Sequence, residues 1–180
     1  MMTTHARTLI ATIILSICWQ AGAVAGDAAT PQEVIAKVRE AAAYLEKNGA
    51  DGLKTFDTAD SPYVWKDTYV FVFNCGAGLA DVATPFTTAR EQDVAVDKDA
   101  TGRIIGPGLC KAAERPGGSW FEYMWWKPTR VEGAPQLTHG EATLRKVSYM
   151  LQVKGQPFQV GAGIYNDKAT VAELDAMLKN

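Results

Sequence analysis

Apolar residues recur along this chain with two different spacings, and the spacings distinguish helices from strands. Between residues 31 and 48 they recur every three or four positions, which is typical of one face of an amphipathic helix. Thr30, Pro31 and Glu33 supply the N-cap, the first-turn proline and the capping-box acid that start such a helix. A second stripe of this kind predicts a closing helix over residues 167–178.

Runs of aromatic and β-branched residues, bounded by glycine or proline, predict strands. Five such runs occur, at residues 69–73, 79–82, 118–128, 145–153 and 158–165. The tight sequence between the last two runs predicts a hairpin, and the mainly polar residues 84–107 predict a crossing segment. The order is helix, two strands, crossing segment, three strands and helix. It describes an α+β domain with a central antiparallel sheet of about five strands.

The N-terminal residues have the pattern of a secretory signal peptide. A cationic residue, Arg7, precedes an apolar core and then small residues that suit cleavage after Ala25 or Ala23. We therefore expect residues 1–25 to be removed and residues 26–180 to form a single periplasmic domain. An uncleaved membrane anchor is the alternative interpretation.

Export has a consequence for the cysteines. Cys18 would leave with the signal peptide, so that Cys75 and Cys110 remain as a pair in an oxidising compartment. We predict a structural disulfide between them, with two buried thiols as the alternative. They are not spaced as a Cys-x-x-Cys redox motif.

Several kinds of chemistry find little support in the sequence. The chain has 18 basic and 20 acidic residues, a balance unsuited to nucleic-acid binding. His139 is the one histidine beyond the signal peptide, which excludes a histidine-rich zinc site. It falls in a stretch of loop composition, residues 130–140, so we expect an exposed surface histidine. Asp97, Asp99 and Thr101 begin like a calcium loop but lack its final glutamate, which favours a simple turn without metal.

Several sequence pieces, taken in order, resemble the single Cache domains of bacterial extracytoplasmic sensing, which have a PAS-like fold. They are Gly52-Leu-Lys-Thr-Phe56, Trp65-Lys-Asp-Thr-Tyr-Val-Phe-Val-Phe73, Asp97-Lys-Asp-Ala-Thr-Gly102, Gly118-Ser-Trp-Phe-Glu-Tyr123 with Pro128, Lys146-Val-Ser-Tyr149 and Val160-Gly-Ala-Gly-Ile-Tyr165. There is one departure. Relatives often carry a His-Pro pair after the second strand, whereas this chain reads Asp81-Val-Ala-Thr-Pro85. The resemblance implies small organic acids or amino acids as ligands, and no cofactor.

The resemblance places a ligand on the side of the sheet that faces the crossing segment. Lys146 alternates with Ser148 and Met150 along its strand, so its ammonium could meet a ligand carboxylate there. Tyr123 and Trp125 share a face of the preceding predicted strand, and we expect Trp65 to close the rim. The alternatives are a snorkelling lysine at a strand end and aromatic rings that only pack the core.

Three functions remain open from the sequence. The first is a periplasmic Cache-type protein that binds a small polar metabolite and passes a signal to a membrane partner. The second is a ligand-free interaction or assembly module of the same fold, which the missing His-Pro pair favours. The third is an enzyme that uses His139, which is disfavoured because no Gly-x-Ser-x-Gly elbow accompanies this histidine.

Overall fold

A computed structural model describes residues 28–86, 91–166 and 168–179 of the chain. The predicted signal peptide, with its cleavage after Ala23 or Ala25, lies outside these residues. Within them, no helix is long and apolar enough to cross a membrane. The regular elements are α1 (Pro31–Asn48), β1 (Val64–Trp65), β2 (Thr68–Asn74), β3 (Leu79–Ala83), β4 (Gln92–Asp93), α2 (Gly106–Ala113), β5 (Ser119–Thr129), β6 (Thr138–Gln152), β7 (Gln159–Tyr165) and α3 (Val171–Ala176).

The two terminal helices begin at capping boxes. Thr30 accepts a hydrogen bond from the backbone N–H of Glu33, and the Glu33 carboxylate accepts one from the backbone N–H of Thr30. Thr170 and Glu173 repeat this arrangement before α3. The closing helix is therefore shorter than the sequence pattern predicted: it begins at Val171 and ends in a 3₁₀ turn, Met177–Lys179. A 3₁₀ helix, Gly49–Phe56, follows α1.

The strands form one antiparallel sheet in the order β4-β3-β2-β7-β6-β5, with β1 paired to β2. The five predicted strands are all present, and the two additional ones, β1 and β4, are only two residues long each. The predicted hairpin joins β6 to β7. These features confirm the α+β architecture with a long N-terminal helix and a C-terminal helix.

The two faces of the sheet bury different clusters. The helix face packs against α1 and α3 and includes Val147 and Tyr149 of β6. The segment face packs against α2 and the described part of the crossing segment, and it includes Met150. Because side chains alternate along a strand, Lys146 and Ser148 lie on the segment face with Met150. The alternation predicted from the sequence is confirmed.

Side chains from other elements cap the free edge of β5. The backbone N–H of Trp120 donates to Asp175 of α3 at 2.9 Å, and that of Met124 donates to Asp99 at 3.2 Å. Arg103 donates to the carbonyl of Glu122. The outer backbone groups of an edge strand can pair with other chains, so these caps protect the longest exposed edge of the sheet.

Cys75 and Cys110 form the predicted disulfide, with Cα atoms 5.8 Å apart. The bond ties the end of β2 to α2, which covers the segment face. In the chain-entropy model, a loop of this length stabilises the fold by about 3–4 kcal/mol. The disulfide thus holds the cover of the segment face against the sheet.

The region around His139 differs from its prediction. Residues 130–140 have loop composition, but β6 already begins at Thr138, and His139 pairs with Pro128 across a bulge. Gly140 permits this approach, because a Cβ there would lie 2.8 Å from the Lys127 carbonyl oxygen. His139 is half-buried, not exposed, and its ring stacks on Trp126 with centroids 4.6 Å apart.

Candidate ligand site on the segment face

Lys146 is the central feature of the segment face. Its side chain is 0% exposed, and its Nζ has no hydrogen-bond partner among the described residues. The ammonium lies 3.9 Å from the ring centroid of Tyr69 and 5.3 Å from that of Phe71, with Tyr123 and Tyr165 at 6.0 and 5.6 Å. A snorkelling lysine keeps its charge in water, whereas this one holds it inside an aromatic cage.

Glycines in the neighbouring strand make room for this lysine. A Cβ at Gly163 of β7 would lie 2.9 Å from Cε of Lys146, and one at Gly161 would lie 2.7 Å from the Phe71 ring. Glycine at both positions therefore allows the neighbouring side chains to approach the strand closely. A larger residue at Gly163 would displace the lysine from the cage.

Burial lowers the pKa of Lys146 from 10.5 to about 7, because desolvation penalises the charged form. The carboxylates of Asp81 and Asp67 act in the opposite direction. Burial also raises the pKa of Tyr69 and Tyr123, so both phenols stay neutral at physiological pH. The charge on Lys146 is therefore poorly compensated, and a nearby anion would stabilise it.

Tyr123 and Trp125 lie on the segment face, as predicted. Tyr123 is directly opposite Lys146 in the β5–β6 pairing, and its hydroxyl is 2.9 Å from Oγ of Ser148. The indole N–H of Trp125 is buried and has no hydrogen-bond partner among the described residues. This N–H interacts with the Tyr69 hydroxyl, but not at hydrogen-bonding geometry, so it is a second donor without a well-placed acceptor in this part of the face.

A small cavity lies between the sheet and the cover. Its volume is about 20 Å³, which is room for about one water molecule. Aromatic rings that include Tyr123 and Trp125 line it, together with two α2-side residues, Ile105 and Leu109, and the acids Asp81 and Asp97. Burial raises the pKa of Asp97 to about 6. The segment face is thus nearly filled by its own side chains.

Trp65 does not line this cavity. It belongs to β1 and packs against the cluster on the helix face. This position corrects the expectation that Trp65 closes the rim of the site. Val64, its neighbour, packs against the segment face, so the alternation within β1 directs Trp65 to the other side.

His139 is the residue of this region that sequence reasoning missed. Its ring centroid lies 4.8 Å from Phe86 and 5.8 Å from Trp125, and its Nε2 is buried without a hydrogen-bond partner among the described residues. These residues form a closed ring of contacts, called the circle below. From His139 it runs through Phe86 and Tyr69 to Lys146, and it returns from Lys146 through Tyr123 and Trp125 to His139. Three unsatisfied nitrogens, those of Lys146, Trp125 and His139, belong to this circle.

The segment at Asp97–Gly102 forms the predicted turn. Asp99 accepts hydrogen bonds from the backbone N–H groups of Thr101 and Arg103 and from the Thr101 hydroxyl. Burial acts to raise the pKa of Asp99, but these bonds outweigh it and lower the pKa to about 2. Within the described residues no group of three or more acids, histidines and cysteines is arranged to hold a metal ion.

The departure from the His-Pro pattern also lies at the cavity. Asp81 lines it and has a positive φ of 48°, which is uncommon for a residue other than glycine. A carboxylate therefore faces the cavity in the stretch that departs from the His-Pro pattern. It does not repeat the chemistry of that pair.

Comparisons with known proteins agree on the fold. No family profile and no curated protein sequence matches this chain. Among solved structures, a methyl-accepting chemotaxis protein from Vibrio parahaemolyticus matches with a TM-score of 0.57 and 17% identity, over 76% of this chain and 88% of that one. A Cache chemosensory domain, solved for the basis of its carboxylic acid recognition, matches with a TM-score of 0.50 and 17% identity, over 76% and 92%.

The class of fold follows from the architecture and from these matches. A curled antiparallel sheet with an N-terminal helix and a C-terminal helix is the fold of the PAS-like single Cache sensor domains. At 17% identity the likeness establishes the fold. The chemistry of this chain has to come from its own side chains.

Proposed function

We propose that this protein is a periplasmic sensor domain that binds a small metabolite bearing a carboxylate on the segment face. The buried ammonium of Lys146, which lacks a hydrogen-bond partner among the described residues, carries this proposal. A buried polar group without a partner costs free energy, so native structures retain few of them. A ligand carboxylate would satisfy Lys146, and the indole N–H of Trp125 offers a second donor to the same group.

The chemistry of one structural neighbour is consistent with this ligand class. That neighbour is a Cache domain with carboxylic acid recognition. Lys146, Tyr123 and Trp125 would form the site here. Trp65 has no part in it, since it packs on the other face.

The small size of the cavity gives ligand binding a mechanical consequence. An acid of several heavy atoms does not fit in about 20 Å³, so its entry must move rings or the cover of the segment face. The cover includes α2, which is tied to β2 by the disulfide. Beyond α2, Arg115 and Ser119 hydrogen-bond to Asp175 of α3. Displacement of the cover would therefore reach the C-terminal helix, from which a membrane partner could receive the signal.

A thermal-shift screen tests this function. The full chain is expressed with export, and the periplasmic protein is mixed with short carboxylic acids, amino acids and purines. Ligand at 100 times its dissociation constant adds about 2.7 kcal/mol of stability, which gives a clear shift. We expect a shift with at least one acid, and its loss in Lys146→Met. A shift that survives Lys146→Met would remove this lysine from the site.

The second candidate is a ligand-free interaction module of the same fold. The observation that favours it is the same small cavity, because a filled face has no need of a ligand. No shift with any compound, together with recovery of a membrane protein in a pull-down, would establish this alternative. No observation favours the enzyme hypothesis, because His139 packs against aromatic rings and its Nε2 has no hydrogen-bonded partner among the described residues that it could activate.

A further inference from the structure

His139 has a fixed position and an unused nitrogen. Its imidazole stacks on Trp126 with an interplanar angle of 6° and also contacts Phe86 and Trp125. Three rings therefore set the plane of the imidazole. Its Nε2 is buried with no hydrogen-bond partner among the described residues.

Packing alone does not account for a histidine at this position. A phenylalanine would stack on Trp126 equally well, and it would not leave a polar nitrogen unsatisfied. The histidine also interacts electrostatically with Lys146: burial lowers the pKa of His139, and the positive charge of Lys146 lowers it further. The neutral imidazole therefore lies near a buried ammonium, and its buried Nε2 has no hydrogen-bond partner among the described residues.

We propose that His139 binds a hydroxyl group of the ligand whose carboxylate pairs with Lys146, so that the ligand is a hydroxy acid. This inference rests on the proposed function. It assigns a second anchoring residue to the site, on the same strand as Lys146 but beyond the bulge of β5 and β6. Aromatic contacts connect the two residues: the Trp125 ring packs on His139 and on Tyr123, and the Tyr123 ring centroid lies 6.0 Å from the Lys146 ammonium.

A hydroxyl is the group that fits this nitrogen best. Nε2 donates when it carries the proton and accepts when it does not, and a hydroxyl can serve either tautomer. A second carboxylate would serve only the protonated form. An ammonium group would serve only the bare form, and Lys146 would repel it. The ligand hydroxyl would therefore satisfy His139 whichever tautomer is present.

Matched pairs of acids test the inference. Isothermal titration compares glycolate with acetate, lactate with propionate, and 3-hydroxybutyrate with butyrate, on wild-type protein exported from the full chain. In at least one pair we expect the hydroxy acid to bind about ten-fold more tightly, the effect of one well-placed hydrogen bond. His139→Phe keeps the ring stack and should remove this preference, so that the hydroxy acid and the plain acid of the pair bind with similar affinity. His139→Gln returns a donor and an acceptor and should restore part of it.

The outcomes separate this inference from the proposed function. If wild-type protein binds none of the acids, the proposed function fails, and the inference fails with it. If acids bind through Lys146 without a hydroxyl preference in any pair, or with one that survives His139→Phe, only the role of His139 is overturned. A folded His139→Phe variant, checked by near-ultraviolet circular dichroism, excludes loss of structure as the cause.

Discussion

The two faces of the sheet follow different rules, although the same strands build both. The buried cluster on the helix face consists of apolar and aromatic side chains, and the buried charged residues of the described part of the chain, Lys146, Asp97 and Asp99, all lie outside it. The segment face encloses a lysine and a buried acid, Lys146 and Asp97. Stability explains the apolar composition of the helix face, because apolar burial is the main favourable contribution to folding. It does not explain the composition of the segment face, since a buried charge without a close partner costs free energy.

The cost on the segment face supports the proposal that a ligand binds there. Proteins retain such costly groups where binding needs them, and clusters of shifted pKa values mark candidate sites. Trp65 and Trp120 also bury an indole N–H that has no hydrogen-bond partner among the described residues, but Trp120 belongs to the apolar cluster of the helix face and Trp65 packs against it. Within the described part of the chain, it is on the segment face that an unsatisfied indole accompanies an unsatisfied ammonium and imidazole.

The largest effect is expected on the helix face. Leu45 of α1 is 0% exposed, so Leu45→Ala should lower the free energy of unfolding by about 2–5 kcal/mol through lost burial and a new cavity. Urea denaturation measures this change. Leu144→Ala serves as the control, because Leu144 is 39% exposed and its truncation should change stability by less than about 0.5 kcal/mol. Altered ligand affinity in folded Leu45→Ala would show that the faces are coupled.

On the segment face, removal of a buried side-chain charge should raise the free energy of unfolding, whereas truncation on the helix face lowers it. Lys146→Met removes a buried charge and keeps the length of the side chain, so we expect the free energy of unfolding to rise by about 1–4 kcal/mol near pH 7. Acid binding should be lost in the same variant. A variant that is both less stable and still binds would contradict the assignment of Lys146 to the site.

The free energy of unfolding should also depend on pH through Lys146, and the pKa of this residue determines the direction. Lys146 has a pKa of about 7 when folded and 10.5 as an ordinary lysine, so the unfolded chain binds more protons between these values. The wild-type free energy of unfolding should therefore gain a rising contribution from pH 7 to about 9.5, below the range in which tyrosines titrate. Urea titrations across this interval should show a smaller rise in Lys146→Met. Equal slopes in the two proteins would mean that the lysine is not held in a desolvated state.

The sequence predicted the parts of this molecule that depend on local spacing. Alternation placed Lys146 on the same face as Ser148 and Met150, and the capping residues predicted the start of α1. His139 could not be placed in the same way, because its position depends on a bulge that changes the pairing between β5 and β6. The loop composition of residues 130–140 predicted an exposed histidine, whereas His139 is half-buried at the start of β6. Trp65 was misplaced for a related reason: a two-residue strand is too short for its alternation to be read from the sequence.

The smallest effect uses a matched pair of tryptophans. Trp65 and Trp125 each bury an indole N–H that has no hydrogen-bond partner among the described residues, the first on the helix face and the second on the segment face. Replacement by phenylalanine should change the stability of both variants similarly, by about 1–2 kcal/mol, because each loses part of a ring and no hydrogen bond. Only Trp125→Phe should weaken acid binding, by about five- to ten-fold, since only this N–H can reach a ligand on the segment face. Calorimetric titration of the two variants measures this difference in affinity. Equal affinities would mean that Trp125 only packs the core, as Trp65 does, and that Lys146 binds the carboxylate without Trp125.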